Sequence, residues 1–376
     1  MYRNSARGNI LVVASFSAVL FLLSVTGRAF AQEQSKAVVA GRVTSAETAE
    51  PIENVNVFLS ITTIGTSTEK DGRFRLSGVP VGIYDLVISR VGYERHTVKL
   101  TITRAESLYY DIRLKPQIIQ TGEVQVAAEN PEDWKKDLKV FTAEFLGKTE
   151  NADQCRILNP EVINFSHDEK ENTLRASSDS VIRVENRAFG YCIYLILIKF
   201  EWNLTRGYGR YFIFSKFQEM IPRDERELSA WKESRQKSYE GSFKKFLRAM
   251  STKKAEDEQF YVYALSLKQM RNIQYDRGYV WYYPGQSNNP AMSGGHRVSA
   301  EELIASSEEG SPFRIVSFQN DLRIEYWGSN PHEVSFLTLN GPSVMIDTLG
   351  NLFNPLSMEV GGYWADNRVA ELLPMY

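Results

Sequence analysis

The chain has 376 residues, with 44 basic and 46 acidic side chains and a formal net charge of −2, so it lacks the basic excess of a nucleic-acid binder. That length can bury a substantial core and accommodates two or three domains. Aromatic residues make up 12%, mostly Tyr and Phe, which suits a β-rich protein.

At the N-terminus, Arg3 and Arg7 precede an apolar run over 10–25, and Ala29-Phe30-Ala31 offers an A-x-A cleavage site before Gln32. Residues 1–31 therefore read as a signal peptide. The run is short for a membrane span, which takes roughly 20 residues. No Cys follows it to take a lipid anchor, and no later run is long enough to cross a bilayer. The mature chain is thus expected to have no transmembrane span and to reside in the periplasm, at the outer membrane or on the cell surface.

Between 38 and 116 the pattern has period two. Val55, Val57, Leu59 and Ile61 alternate with Asn56, Phe58 and Ser60. Similar runs recur at Phe74 and Leu76, at Tyr84, Leu86 and Ile88, at Val98, Leu100 and Ile102, and from Leu108 to Leu114. Such spacing predicts a sandwich with one buried face per strand. Asp71-Gly72 is a hairpin signal, and Pro80 with Gly82 marks a second turn. Gly41, Pro51, Val55, Val57, Gly72, Phe74, Gly82, Tyr84 and Gly92-Tyr93 together make this stretch closely resemble the carboxypeptidase regulatory-like domain, a transthyretin-like sandwich. The resemblance implies a seven-stranded Greek-key β-sandwich that serves as a spacer or docking module beside other exported domains. Related starch-binding-like sandwiches bind glycans.

Residues 117–133 read as a linker with a short strand around Gly122-Glu123-Val124-Gln125-Val126, and 134–376 as a β-rich α+β domain. Trp134, Leu138, Phe141 and Phe145 have helical spacing, which predicts a helix near 134–147. Strand candidates follow at 161–165, 173–176, 181–184, 191–202 and 211–217. A second helix is expected over 224–250, with Asp224 as N-cap, Glu227 three residues on, and Leu228, Trp231, Tyr239, Phe243, Phe246 and Met250 along one side. Its many basic residues read as a solvated face. These C-terminal segments resemble a region that accompanies the regulatory-like domain in exported proteins of Bacteroidetes-type bacteria and has no established activity. Within it, Tyr239-Glu240-Gly241-Ser242-Phe243 up to Leu247 resembles a motif in which His is expected where this chain has Lys245. Further strands are expected at 313–318, 322–327 and 334–339.

Trp281, Tyr282 and Tyr283 form the densest aromatic cluster and are the candidate ligand-binding residues, because such rings stack on sugars. Their alternation equally fits a sheet core. Cys155 and Cys192 fit either a disulfide, expected to stabilise by roughly 4 kcal/mol, or two buried thiols. His96, His167, His296 and His332 lack the spacing of a zinc site, and no H-E-x-x-H, G-x-S-x-G or phosphate loop is present. No catalytic residue, metal or cofactor is therefore expected. The reading is a non-catalytic exported envelope protein that docks an envelope or outer-membrane protein. A polysaccharide-binding protein is the alternative, and a hydrolase built from carboxylates distant in sequence is the third.

Overall fold

The alternating stretch folds into seven strands: β1 (Ala37–Ser45), β2 (Asn56–Leu59), β3 (Gly65–Ser67), β4 (Arg73–Val79), β5 (Gly82–Ser89), β6 (His96–Ile102) and β7 (Ser107–Leu114). They form two sheets, ordered β4-β1-β7 and β3-β2-β5-β6, with β1 and β7 parallel. The protein is thus mainly β, with a seven-stranded N-terminal sandwich. In this computed structural model the described residues are 36–117, 131–265, 295–306, 310–329 and 331–375. Val39, Val43, Val57, Phe74, Leu76, Tyr84, Leu86 and Leu100 fill the space between the sheets. Gly41 is required there: a Cβ would lie 2.2 Å from the Tyr110 carbonyl and 2.7 Å from the Phe74 ring. Asp71-Gly72 does turn the chain, but β3 and β4 belong to opposite sheets, so the turn crosses the sandwich instead of closing a hairpin ladder.

Helix α1 (Pro131–Leu146) and the strands β8 (Cys155–Ile157), β9 (Ile163–Asp168), β10 (Thr173–Ser178), β11 (Ile182–Asn186), β12 (Tyr191–Asn203) and β13 (Tyr208–Glu219) follow. The six strands make one sheet in which β12 pairs with β11 and β10 on one side and with β13 on the other. Phe141 and Phe145 of α1 stack at 4.6 Å, and Phe141 lies 4.7 Å from Phe200 on the sheet.

The stretch expected as one helix forms two, α2 (Glu225–Tyr239) and α3 (Phe243–Ser251). Asp224 caps α2 by accepting from the Glu227 amide. The break has a local cause: Gly241 has φ +71°, and the Ser242 side chain caps α3 by accepting from the Lys245 amide. The remaining strands are β14 (Phe260–Ala264), β15 (His296–Val298), β16 (Ile304–Ser306), β17 (Phe313–Val316), β18 (Leu322–Tyr326), β19 (Glu333–Leu339), β20 (Val344–Asp347) and β21 (Met358–Gly362). They form a five-stranded sheet, β15-β14-β18-β19-β21, and a three-stranded one, β16-β17-β20. Phe246, Leu247 and Met250 of α3 pack into the core beneath them.

Lys36 to Tyr376 forms one compact unit. The outer face of β2 and β5 is covered: Phe58 and Val87 pack with Phe214, Ile196, Ile198 and Phe212. Phe58 and Ser60, read from sequence as the outward set, are therefore each only 4% exposed. A second tie joins β5 to β20, where the Asp347 carboxylate accepts from the Ile83 amide at 2.8 Å. The tail adds a third, since the Met375 amide donates to the Ile61 carbonyl at 2.9 Å.

Candidate functional site

The Tyr239–Leu247 motif surrounds a buried cation. Lys245, on the first turn of α3, is 8% exposed, and its Nζ bonds Glu240 and lies 3.2 Å from Glu258. The amine sits 5.3 Å from the Tyr326 ring centroid, and the Tyr326 hydroxyl donates to Glu240 at 3.1 Å. Burial disfavours the charged amine, but the bonds to Glu240 and Glu258 outweigh it and hold its pKa above the usual lysine range. A lysine held protonated in this way is neither a nucleophile nor a base. Gly241 allows the approach of Glu333, whose Oε2 would be 2.3 Å from an added Cβ. Burial pushes the Glu333 carboxyl up to about 7, against opposing bonds from Ser329 and Tyr363. The Trp364 indole donates to the Gly241 carbonyl at 2.7 Å and closes the cluster from below. The arrangement fixes the α2–α3 corner on the sheet.

Other sequence candidates are dispersed. Trp281, Tyr282 and Tyr283 lie outside the described residues. Cys155 and Cys192 are free thiols. Cys155 pairs with Asn186 and Cys192 with Glu185, so β11 separates them and they project from opposite faces of the sheet, which no disulfide spans. Burial, with the Glu371 charge adding to it, pushes the Cys155 thiol up to about 12. His167 bonds Asp137 at 2.9 Å, His96 and His296 are exposed on separate strands, and His332 stacks on Trp327 at 4.9 Å. Among the described residues no three His, Cys, Asp or Glu side chains converge as a metal site.

Trp327, which falls at the end of the strand expected over 322–327, lies just beyond β18. It is 56% exposed, meets Tyr261 edge-on at 6.1 Å, and donates from its indole to Glu325 at 3.0 Å. Glu325 in turn pairs with Arg323 at 3.1 Å.

The sandwich itself has two unlike outer faces. That of β3-β2-β5-β6 is built into the molecule, and Ile83 and Val87 are 1% and 0% exposed. That of β4-β1-β7 presents Arg73 and Arg75 from β4, Ala40 and Arg42 from β1, and Tyr109, Asp111 and Arg113 from β7. Tyr109 is 61% exposed.

Residues 39–126 match the CarboxypepD_reg-like domain. No curated protein matches the chain. Among solved structures it is similar to 3-chlorocatechol 1,2-dioxygenase of Rhodococcus opacus, at 13% identity and TM-score 0.19, over 22% of this chain and 61% of that one. It is also similar to the major pilin subunit of Bacillus cereus, at 8% identity and TM-score 0.20, over 22% of this chain and 31% of that one. A type II cohesin–X-dockerin complex from Acetivibrio cellulolyticus gives 23% identity and TM-score 0.20, over 27% of this chain and 72% of that one. At such scores these likenesses assign no activity, substrate or partner to the chain. No helix among the described residues is long and apolar enough to cross a membrane.

Proposed function

From the CarboxypepD_reg-like domain in residues 39–126, we propose that the chain is a non-catalytic exported envelope protein whose sandwich docks an envelope or outer-membrane protein. The carrying observation is the asymmetry of the sandwich. One sheet is fixed to the rest of the chain through Phe58, Val87, Phe214 and the Asp347 tie, while among the described residues none packs over Tyr109, Asp111 and Arg113 on the outer face of the other sheet, which are exposed. A module held in this way presents its free face in one pose, which lowers the entropic cost of association. The protonated Lys245 at the centre of the buried cluster fits a structural role for the larger part. Residues 1–31 act as the signal peptide in this reading, and the mature protein works in the periplasm or at the cell surface. Cross-linking of the tagged protein in its own cells, with mass spectrometry of the envelope fraction, tests it. Recovery of one outer-membrane transporter or assembly protein is the expected result, and recovery of the protein alone would refute it.

The exposed Trp327 favours a second reading, polysaccharide binding, since its indole presents a stacking face for a sugar ring. In that case Trp327→Ala or Trp281→Ala abolishes retention on a polysaccharide column and leaves the melting temperature nearly unchanged. Loss of folding instead would identify the mutated ring as core.

A further inference from the structure

Resting on the docking reading above, we propose that the outer face of β4-β1-β7 binds an acidic polypeptide surface, with Tyr109 as anchor and Arg42, Arg73, Arg75 and Arg113 as its charged contacts. The strand register places these residues together. Arg75, Ala40 and Tyr109 form one row across the three strands, and Arg73, Arg42 and Asp111 form the next. Arg113 follows on β7, beside Thr44. With neighbouring strands about 4.8 Å apart, the four guanidiniums and the phenol share a patch of roughly 15 Å, within the footprint of one partner in a standard interface. Ala40 leaves the space between Arg75 and Tyr109 low, so a partner can reach the phenol.

The face carries an internal cost. Arg42 and Arg73 stand directly opposite each other across the β1–β4 ladder, where like charges repel. Local relief comes from Asp71, whose carbonyl accepts from Arg42 at 3.0 Å and whose carboxylate lies 3.5 Å from Arg73. Asp111 is the other carboxylate on the face, and among the described residues no ion pair involves Arg75, Arg113 or Asp111. Partner carboxylates would relieve the surplus.

The choice of cation points to a protein. The outward positions of the three strands hold four arginines and no lysine. Planar guanidiniums match carboxylates with paired hydrogen bonds, and Arg with Tyr is the composition of protein–protein hot spots. Lysine-rich point charge would suit a lipid surface equally well.

The test uses the full chain in its own cells, with a photo-crosslinking amino acid in place of Tyr109 and, as a control, of His96 on β6. The expected result is an adduct at 109 whose cross-linked peptide is rich in Asp and Glu. Its yield should fall about tenfold or more in the Arg75→Glu/Arg113→Glu variant, and less in the Arg75→Lys/Arg113→Lys variant, with the melting temperature held. A protein adduct at 96 but none at 109 would overturn this inference and leave the docking reading standing. No protein adduct at either position would count against both. An adduct to polysaccharide or lipid at 109, or one insensitive to charge reversal, would also overturn it. Tyr109→Ala, with yield read from a crosslinker at Ser107, separates loss of the anchor from loss of folding.

Discussion

Lys245 is where chemistry and fold pull hardest against each other. Its side chain is 10% exposed, while those of its partners Glu240 and Glu258 are 36% and 38% exposed. Lys245→Met therefore leaves two half-solvated carboxylates facing each other, and we expect a loss of roughly 1–3 kcal/mol in urea unfolding, below the cost of breaking a fully buried pair. Glu333 gives a pH signature. Its carboxyl is raised to about 7 in the fold, against about 4.3 unfolded. The folded state thus holds the proton longer, and the contribution of Glu333 to stability is fully present below about pH 4.3 and is lost as pH rises through about 7. Melting temperature should fall between pH 5 and pH 8 by more in the native chain than in Glu333→Gln. The motif around these residues was legible in sequence, including the lysine at the position of an expected histidine. Its burial was not, because the basic residues of 223–254 look like one solvated face until a sheet covers α3. Lys244, next along, is pushed down to about 8 by burial despite the nearby Asp347.

At the scale of elements, alternation revealed the strands well, because each has at least one apolar face. It could not reveal what covers the second face. Ile83 and Val87 are apolar on the outward side of β5, and Phe58 is apolar on that of β2. That excess was the available signal that this sheet is enclosed on both sides. The α2–α3 break was signalled by Gly241 and Ser242 but lost within a long amphipathic stripe. Helix α2 is seated by a comparable local rule. Gly190 has φ +69°, and a Cβ there would lie 2.2 Å from the Trp231 indole. Arg235 reinforces the contact, donating to the Phe189 carbonyl at 2.7 Å and lying over Tyr191 at 4.0 Å. Gly190→Ala combines left-handed strain of about 1–3 kcal/mol with displacement of Trp231. We expect α2 amides to exchange hydrogen much faster in that variant, with the sandwich amides unchanged.

Across the whole molecule the Asp347 carboxylate is the most concentrated tie. It is fully buried and accepts from the amides of Ile83, Leu349 and Asn351 and from the Asn351 side chain, all within 2.9 Å. Asp347→Ala leaves the buried Ile83 and Asn351 amides, the buried Asn351 side-chain amide and the half-buried Leu349 amide without this acceptor, a loss of roughly 2–5 kcal/mol. Because one of these belongs to the sandwich, calorimetry should resolve the native transition into two. Nothing in the local sequence announces a contact between residues 83 and 347. The same holds for the tail, where Glu371 accepts from Thr149, Asn151 and Ser238, the Ala370 carbonyl accepts from Asn186, and Met375 reaches Ile61. These bonds set a timetable for folding. A chain emerging from its N-terminus can form the sandwich ladders early, but the Ile61 carbonyl must wait for residue 375 to appear, so the last step of assembly is a long loop closure. The apolar seam at Phe58 and Val87 stands open only until residues 196–214 arrive to cover it, and that interval is when the nascent chain is most exposed to proteases and in most need of a chaperone.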